Sequence, residues 1–289
     1  MTAARPRAWV RVVRVLAAIA VGFTLVFSAA LLLLQRRLIY FPQPYPVQRV
    51  EDLLPAGGRA LEYQLRGARQ FAYWVPGPAA TDESPIVAVF SGNASLAALG
   101  WSDWIDEARE ADPSLSFLLV EYPGYGRSGL EPTRANIIAA TMGAWDRLAE
   151  ELGLERPALD ARAAAMGHSL GAAAAMEFAT RVRPRRIVLF APFVDIKRIA
   201  RRTVGPLFQH LLLDRFDNAA RLREYLPAQP EGRVLVFHAE DDNILEAGFS
   251  RELHAAHPQA IELVISPTGG HDGILATHRD RAVEFLAGE

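Results

Sequence analysis

Hydrophobic positions along this chain follow two different patterns. Residues 15–34 carry no charged side chain and form one continuous apolar run, as long as a membrane-spanning helix. From residue 46 onward, short runs typical of β-strands alternate with longer segments that have helical patterns. The pattern predicts an N-terminal apolar helix followed by one domain of alternating strands and helices.

The strand runs near the C-terminal half lack polar alternation, as in IVLFA and VLVFH. Such runs are typical of strands that are covered on both faces, in a mostly parallel sheet between helix layers. The predicted strands are residues 61–65, 71–75, 86–91, 117–121, 162–166, 187–191, 233–238 and 261–265. The main predicted helices are residues 97–111, 134–152, 170–181, 246–256 and 273–286. Residues 194–232 interrupt this rhythm and predict two or three short helices, a small cap insertion.

The N-terminal run predicts an uncleaved anchor, because twenty residues at about 1.5 Å each span roughly the 30 Å hydrocarbon layer. A signal peptide is the alternative, since Ser28, Ala29 and Ala30 resemble a cleavage site. Basic residues lie on both sides of the run: Arg5, Arg7, Arg11 and Arg14 before it, and Arg36, Arg37 and Arg49 after it. This bias favours a cytoplasmic N-terminus and an exported domain, periplasmic or extracellular. Residues 1–45 are therefore assigned to tail, anchor and proline-rich linker, and residues 46–289 to the exported domain.

The amino-acid composition excludes several kinds of function. The chain has 289 residues, of which 51% are apolar, enough for one large core. A net charge of −2 gives no indication of nucleic-acid binding. Because the chain has no cysteine, disulfides, thiolate catalysis and cysteine-ligated metals are excluded.

The strongest local motif is GHSLG, at residues 167–171, between a predicted strand and a predicted helix. A sharp turn there would raise the hydroxyl of Ser169 at the helix N-terminus, as in a nucleophile elbow. The backbone N–H of Leu170 could then donate to a developing oxyanion. The alternative is an ordinary Gly/Ser turn.

A serine nucleophile needs a base, and His271 is the preferred histidine. It lies in a predicted flexible, glycine-flanked loop directly after the last predicted strand, at the sheet edge where catalytic loops gather. His168 is expected to point away from Ser169. His254 and His257 are interpreted as a surface pair, and the remaining histidines as structural or solvated: His210, His238 and His278.

The orienting acid is expected after the penultimate strand, where Glu240, Asp241 and Asp242 follow one another. Asp195, after the preceding strand, is a more distant alternative. With any acid of that cluster, the chain order is serine, acid, histidine, the order expected of α/β-hydrolases.

A second oxyanion donor is expected in the loop after the third predicted strand, at Gly92-Asn93-Ala94-Ser95. The backbone N–H of Asn93 is the predicted donor, an interpretation preferred over the glycosylation sequon that the same residues form.

Two further patterns have weaker interpretations. Residues 124–129 satisfy the dinucleotide fingerprint GxGxxG, but Pro132 delays the following helix, so cofactor binding is not favoured. Arginines cluster in and around the cap, and they are either a solvated surface or a contact for anionic lipid: Arg181, Arg183, Arg185, Arg186, Arg198, Arg201 and Arg202.

With these positions known, the chain from about residue 38 onward resembles the membrane-anchored α/β-hydrolases of the Bem46-like group. The matching segments are LIYFP after the anchor, SGNA, EYPGYGRSG, GHSLG, FHAEDD and GGHDG. In such proteins the acid segment has the form HGxxD, and on residues 238–242 this selects Asp242. The resemblance also implies that residues 124–129 form a structural loop near the site.

The chain departs from that group at Ser91, where many relatives have histidine, and at Ala239, where glycine is usual. Neither change removes a member of the predicted triad Ser169, Asp242 and His271. The resemblance implies hydrolysis of ester, thioester or related acyl bonds on a small-molecule or lipid substrate, without a metal or organic cofactor. A peptidase or amidase, and a non-catalytic membrane-tethered binding protein, are the alternatives.

Overall fold

The computed structural model describes residues 8–288, so Arg5 and Arg7, which contribute to the topology prediction, lie outside the described residues. The helices within that range are α1 (Ala8–Ile39), α2 (Ala97–Ala111), α3 (Arg134–Leu152), α4 (Arg156–Ala161), α5 (Leu170–Val182), α6 (Ile196–Val204), α7 (Asn218–Ala228), α8 (Gly248–Ala256), α9 (Gly270–Thr277) and α10 (Arg279–Ala287). Two 3-10 turns lie at Val50–Leu53 and Phe208–Leu211.

One sheet organises most of the chain. Its strands are β1 (Arg59–Leu65), β2 (Ala68–Val75), β3 (Ile86–Phe90), β4 (Ser116–Val120), β5 (Ala163–His168), β6 (Arg186–Phe190), β7 (Arg233–Ala239) and β8 (Ile261–Ser266). Their order across the sheet is β1-β2-β4-β3-β5-β6-β7-β8. β1 and β2 pair antiparallel at one edge, and β3 to β8 run parallel. The predicted mostly parallel sheet with helices is confirmed.

Parallel pairing brings the carboxyl ends of the central strands to one edge. Phe90, the last residue of β3, lies opposite Gly167 of β5, and His168 lies opposite Phe190 of β6. The β3, β4 and β6 strands are almost completely buried, which is why their sequences are apolar on both faces. The loops after β3, β5, β7 and β8 therefore gather at the same edge.

The described chain divides into two compact units. One combines the N-terminal part up to Ile39 with Lys197–Leu213, and the other contains the sheet and the remaining helices. Among the described residues, α1 is the one helix that is long and apolar enough to cross a membrane, over Trp9–Ile39. The cap segment predicted at residues 194–232 contains α6, the second 3-10 turn and α7.

The predicted last helix, residues 273–286, was wrong in its extent, because two helices occupy this part of the chain. α9 begins at Gly270, so His271 lies in its first turn and not in the predicted loop. His278 leaves helical geometry with φ −120° and ψ 22° before α10 begins. The His278 ring stacks on Phe237 at 4.7 Å between centroids, and its Nε2 forms a short hydrogen bond with the Ser266 hydroxyl. This break depends on tertiary contacts that the local pattern does not contain.

Candidate active site

Ser169 lies on a strained turn between β5 and α5. Its φ is 55° and its ψ is −116°, a backbone conformation that residues other than glycine rarely adopt. Its N–H donates to the carbonyl of Phe190 over 2.9 Å, which holds the turn against β6. The predicted strand–turn–helix setting is therefore present, and the strain is concentrated at the predicted nucleophile.

The two glycines of the motif make that turn possible. A Cβ on Gly171 would lie 2.1 Å from the carbonyl oxygen of Phe90, and one on Gly167 would lie 2.2 Å from the carbonyl oxygen of Gly171. Neither position has room for a side chain, so α5 can approach β3 only because both residues are glycine. Leu170 is the first residue of α5, where backbone N–H groups have no partner within the helix.

His271 and Asp242 are hydrogen-bonded to each other. His271 Nδ1 donates to Asp242 Oδ2 over 2.7 Å, and both side chains are buried. Asp242 Oδ1 accepts from the backbone N–H groups of Ile244 and Leu245, over 2.8 and 2.9 Å. Burial acts to raise the pKa of the Asp242 carboxyl, but the bonds from His271 and the two N–H groups outweigh it and leave that pKa below its usual value.

The other acidic candidates have different contacts. Asp241 Oδ1 accepts from the N–H of Gly270 over 2.8 Å, so it holds the start of α9 rather than the imidazole. Asp195 lies in an isolated β-bridge with Asp217. The structure therefore brings Asp242, of the aspartates considered, to the imidazole of His271.

Two histidines that the sequence assigned no catalytic role lie against this pair. His238 is fully buried, with Nε2 2.8 Å from the Leu245 carbonyl and 3.3 Å from Asp242 Oδ2. Its Nδ1 lies 2.6 Å from the Ser250 hydroxyl. Burial lowers the pKa of His238, which favours a neutral ring that donates to Leu245 and accepts from Ser250. The prediction that His238 is structural fits these contacts.

His168 lies beside His271 and lines the same cavity. Its Nε2 is 2.9 Å from the His271 carbonyl oxygen, and the two ring centroids are 4.7 Å apart. Burial lowers the pKa of His168 to about 4, so its neutral Nε2–H donates to that carbonyl. The ring supports the backbone of His271, a role that sequence reasoning missed because it depends on β5 and α9 meeting.

These groups also form a possible metal-binding set. Ligand atoms of His168, His271 and Asp272 lie within 4.8 Å of one another. However, His168 Nε2 is engaged by the His271 carbonyl and His271 Nδ1 by Asp242. The bond from His271 Nδ1 to Asp242 is the orientation that an imidazole base requires, so the arrangement favours acid–base chemistry over metal ligation.

Asn93 lies in the loop between β3 and α2, and its side chain holds that loop in place. Asn93 Oδ1 accepts from the N–H groups of Phe41 and Ala94, over 3.1 and 3.0 Å, and from the Tyr125 hydroxyl over 2.9 Å. The same loop is bound at Ser91, whose hydroxyl accepts from the Trp101 indole N–H over 3.1 Å. The side chain is therefore structural, and the backbone N–H remains the predicted donor.

The buried carboxyl group of Glu121 holds the end of this loop, where α2 begins. The sequence analysis included Glu121 only as part of a family motif. Glu121 Oε1 accepts from the N–H of Ala97 at the start of α2, over 3.3 Å. Its Oε2 accepts a short hydrogen bond from the Tyr45 hydroxyl, which in turn accepts from the N–H of Ala98 over 3.1 Å. Burial raises the pKa of Glu121 to about 7. A charged residue directly after an apolar buried strand was the signal that could have identified it.

A cavity of about 450 Å³ joins the predicted catalytic side chains. It is lined by Phe41, Gly92, Asn93, Ala94, Ser95, Gly100, Trp101, His168, Ser169, Ile244, His271, Asp272 and Leu275. That volume suits a small ligand, and the wall mixes apolar side chains with polar ones. The serine, the imidazole and the candidate donor loop therefore face one shared space.

Comparison with known proteins supports the same architecture. No family model matches the chain. It is 30% identical over 246 residues to the uncharacterized protein Rv2307c of Mycobacterium tuberculosis, covering 82% of this chain and 80% of that protein. It is 22% identical over 171 residues to the alpha/beta hydrolase domain-containing protein 17C of Mus musculus, covering 58% of this chain and 50% of that one.

The fold is also found in solved structures. The Pyrococcus furiosus esterase Pf2001 superposes with a TM-score of 0.62 at 14% identity, covering 86% of this chain and 97% of the esterase. At that identity the likeness establishes the fold alone, which is the α/β-hydrolase fold.

Proposed function

The chain belongs, within the α/β-hydrolases, to the same family as the mycobacterial protein Rv2307c, and from this premise we propose that it is a serine hydrolase that cleaves carboxylic ester or thioester bonds. The observation that carries the proposal is the 2.7 Å bond between His271 Nδ1 and Asp242, together with the cavity that His271 and Ser169 both line. The proposed ester chemistry is of the kind that the name of the solved neighbour Pf2001, an esterase, states for that protein.

In the proposed first step, Ser169 attacks the acyl carbonyl while His271 removes its hydroxyl proton. The Nδ1–H of His271 is committed to Asp242, which leaves the lone pair on Nε2 as the base. Ionised Asp242 also stabilises the imidazolium that forms, and the depressed pKa of Asp242 keeps it ionised at neutral pH.

The oxyanion of the tetrahedral intermediate would be bound by the backbone N–H groups of Asn93 and Leu170. One donor belongs to the loop held by Tyr125 and Trp101, and the other to the N-terminus of α5. Loss of one such donor typically lowers the rate by about 10²–10³.

The remaining steps complete the turnover. His271 donates its proton to the leaving alcohol or thiol as the acyl–oxygen or acyl–sulfur bond breaks, leaving an acyl ester on Ser169. Water then attacks this ester, with His271 again accepting the proton, and the acid and free serine are released. The cycle is balanced without a metal or organic cofactor.

Substitution of the nucleophile tests the proposal. We expect Ser169→Ala to fold normally, to lose hydrolysis of short p-nitrophenyl esters and to lose labelling by a fluorophosphonate probe. Ser114→Ala, on the loop before β4, is the matched control and should keep both. Retained labelling of Ser169→Ala would refute the nucleophile assignment, and unlabelled parent protein would favour a non-catalytic binding protein.

We also propose that α1 anchors the chain in a membrane as a single span. Its side chains are largely exposed, as they would be in contact with lipid, and Arg11 and Arg14 precede the charge-free residues 15–34. Since positive charge favours the cytoplasmic side, the N-terminus would be cytoplasmic and the sheet-containing unit exported.

A further inference from the structure

The cap segment Lys197–Leu213 forms one compact unit with α1. The Phe208 ring packs edge-on against Phe27, with 4.6 Å between centroids and 71° between planes. Phe27 lies within the charge-free run of α1. A part of the cap is therefore packed against the residues of α1 that are proposed to be in the membrane.

The position of this contact along α1 places it below the membrane surface. Arg36 and Arg37 follow the apolar run, and charged side chains of this kind mark the headgroup region. Phe27 precedes Arg36 by nine residues, which is about 13 Å along a helix axis. Half of the hydrocarbon layer is about 15 Å thick, so Phe208 would lie at hydrocarbon depth.

Part of the backbone of this segment has hydrogen-bond partners within the same unit. Gln35 is buried, and its Nε2 donates to the Leu211 carbonyl over 3.3 Å while its Oε1 accepts from the Leu213 N–H over 2.7 Å. The N–H of Gln209 donates to the Gly205 carbonyl over 3.3 Å. Irregular backbone at membrane depth needs protein partners for its polar groups, and these hydrogen bonds supply some of them.

Of the exposed side chains at residues 205–213, all except His210 are apolar. Leu207 is 66% exposed and Leu213 is 58% exposed, on a short segment with no Asp, Glu, Lys or Arg between 203 and 213. Water is a poor environment for such a patch, and a lipid leaflet is a favourable one.

The helix that precedes this segment, α6, carries its basic and its apolar side chains on opposite faces. At 100° per residue, the basic residues of α6 fall within one arc of about 140°. They are Lys197, Arg198, Arg201 and Arg202. The opposite face carries Ile196, Ile199 and Ala200, so the cationic face is continuous and suits a surface of negative charge.

We propose that Lys197–Leu213 is a second membrane-contacting element, in which residues 205–213 enter the hydrocarbon of one leaflet beside α1 and the basic face of α6 binds anionic lipid headgroups. This inference rests on the proposal that α1 spans the membrane. It goes beyond that proposal, because a single-span anchor requires no such contact.

The absence of cysteine makes a depth measurement direct, since each variant carries one label. Full-length Leu207→Cys is labelled with a nitroxide in nanodiscs of phosphatidylcholine and phosphatidylglycerol, and its accessibilities to oxygen and to a polar nickel chelate are compared. We expect oxygen accessibility to exceed that of the nickel chelate, as in hydrocarbon. Phe23→Cys on α1 serves as the lipid reference and exposed Ala256→Cys on α8 as the aqueous reference.

The references separate the two proposals. A label at residue 207 that matches Ala256→Cys while Phe23→Cys is in hydrocarbon overturns the second element and leaves the anchor intact. Aqueous labels at both 207 and 23 overturn the anchor and with it this inference. Leu213→Cys repeats the measurement if Leu207→Cys does not fold.

The headgroup contact is tested by charge removal in the full-length chain. Native mass spectrometry measures the dissociation constant of the first phosphatidylglycerol adduct, with phosphatidylcholine as the neutral reference. We expect Arg201→Gln to raise the phosphatidylglycerol constant about fivefold, since one arginine near an anionic surface contributes about 1 kcal/mol. Arg201→Lys should stay near the parent value, and so should Arg223→Gln, which removes an exposed charge on α7. Equal constants for Arg201→Gln and Arg223→Gln would overturn the headgroup contact.

Discussion

At the scale of single residues, the acid of the site is defined by several hydrogen bonds at once. Asp242 accepts from His271 with one oxygen and from two backbone N–H groups with the other. His238 supports it from the buried side, while His168 supports the backbone of His271. The orientation of the imidazole is therefore set before substrate binds, which is the arrangement an acyl-transfer base requires.

The assignment of Asp242 as the orienting acid predicts that substitutions at Asp242 and at Asp241 lower kcat by very different factors. We expect Asp242→Asn to lower kcat for p-nitrophenyl esters by about 10³–10⁴, because the amide would favour the wrong tautomer of His271. Asp241→Asn should affect kcat far less, since its remaining oxygen can still accept from Gly270. Steady-state kinetics of both variants decide between them, and a larger loss for Asp241→Asn would reverse the assignment.

Glu121 predicts a pH-dependent stability. Its pKa is raised from 4.5 to about 7 by burial, so the folded protein holds a proton that the unfolded chain releases. Between these values the folded state binds more protons, and the contribution of Glu121 to the free energy of unfolding falls as pH rises, by up to about 3 kcal/mol above pH 7.

We therefore expect Glu121→Gln to become more stable relative to the parent as pH increases from 5 to 8. Thermal unfolding at several pH values measures the difference in Tm. The variant must be compared with the parent at each pH, because His168 contributes the opposite pH dependence. Burial lowers the pKa of His168, so its contribution to the free energy of unfolding falls as pH falls from 6.5 towards 4. Glu62→Gln, exposed on β1, is the control, and a pH-independent difference for Glu121→Gln would contradict a protonated Glu121.

At the scale of elements, the turn between β5 and α5 concentrates backbone strain at one residue. The positive φ of Ser169 is maintained because α5 packs closely on β3 and because Ser169 N–H is bonded to β6. Strain of this kind persists only when the surrounding elements hold it. The elbow is therefore a property of three strands and a helix rather than of the five-residue motif alone.

This packing predicts that Gly171 cannot be replaced. We expect Gly171→Ala to lower the free energy of unfolding by at least about 2–3 kcal/mol, since the new methyl group would overlap the Phe90 and Ser91 carbonyls. Gly273→Ala, inside α9 with open space around its Cα, should raise stability by up to about 1 kcal/mol. Urea unfolding measures both, and an unchanged midpoint for Gly171→Ala would contradict the close approach.

At the scale of the whole molecule, the chain combines an apolar N-terminal helix with an α/β-hydrolase fold that carries both the candidate acid and the candidate base. Each of the two compact units has its own internal packing, and the cavity with the candidate triad belongs to the sheet-containing unit. The proposed anchoring and the proposed chemistry are therefore separable by experiment.

Anchoring and orientation predict a specific fusion pattern. We expect the full chain to remain in the membrane pellet after alkaline carbonate extraction, and a C-terminal alkaline phosphatase fusion to be active. A C-terminal green fluorescent protein fusion exported by the general secretory route should be dark. The reverse pattern would place the C-terminus in the cytosol and overturn the export proposal, while the triad assignment would stand.

Much of this architecture was predictable because its determinants are local in sequence. Three features could be recognised from short stretches of sequence: the apolar strands buried on both faces, the charge-free run of residues 15–34 and the glycines around Ser169. The parallel sheet and the strand–turn–helix setting of Ser169 follow from such local patterns, since backbone hydrogen bonding and burial impose them on any chain of this periodicity.

Tertiary structure alone decided the contacts between distant segments. The bond between His271 and Asp242 spans 29 residues, and the bond between Tyr45 and Glu121 spans 76. The family resemblance had selected Asp242, but the residue pattern by itself left Glu240, Asp241 and Asp242 open. The packing of Phe208 on Phe27 and the break at His278 depend likewise on which segments meet. The sequence determines which chemical groups are available. Hydrogen bonds are directional and packing is close, so two groups become partners only when the folded backbone brings them within reach of each other.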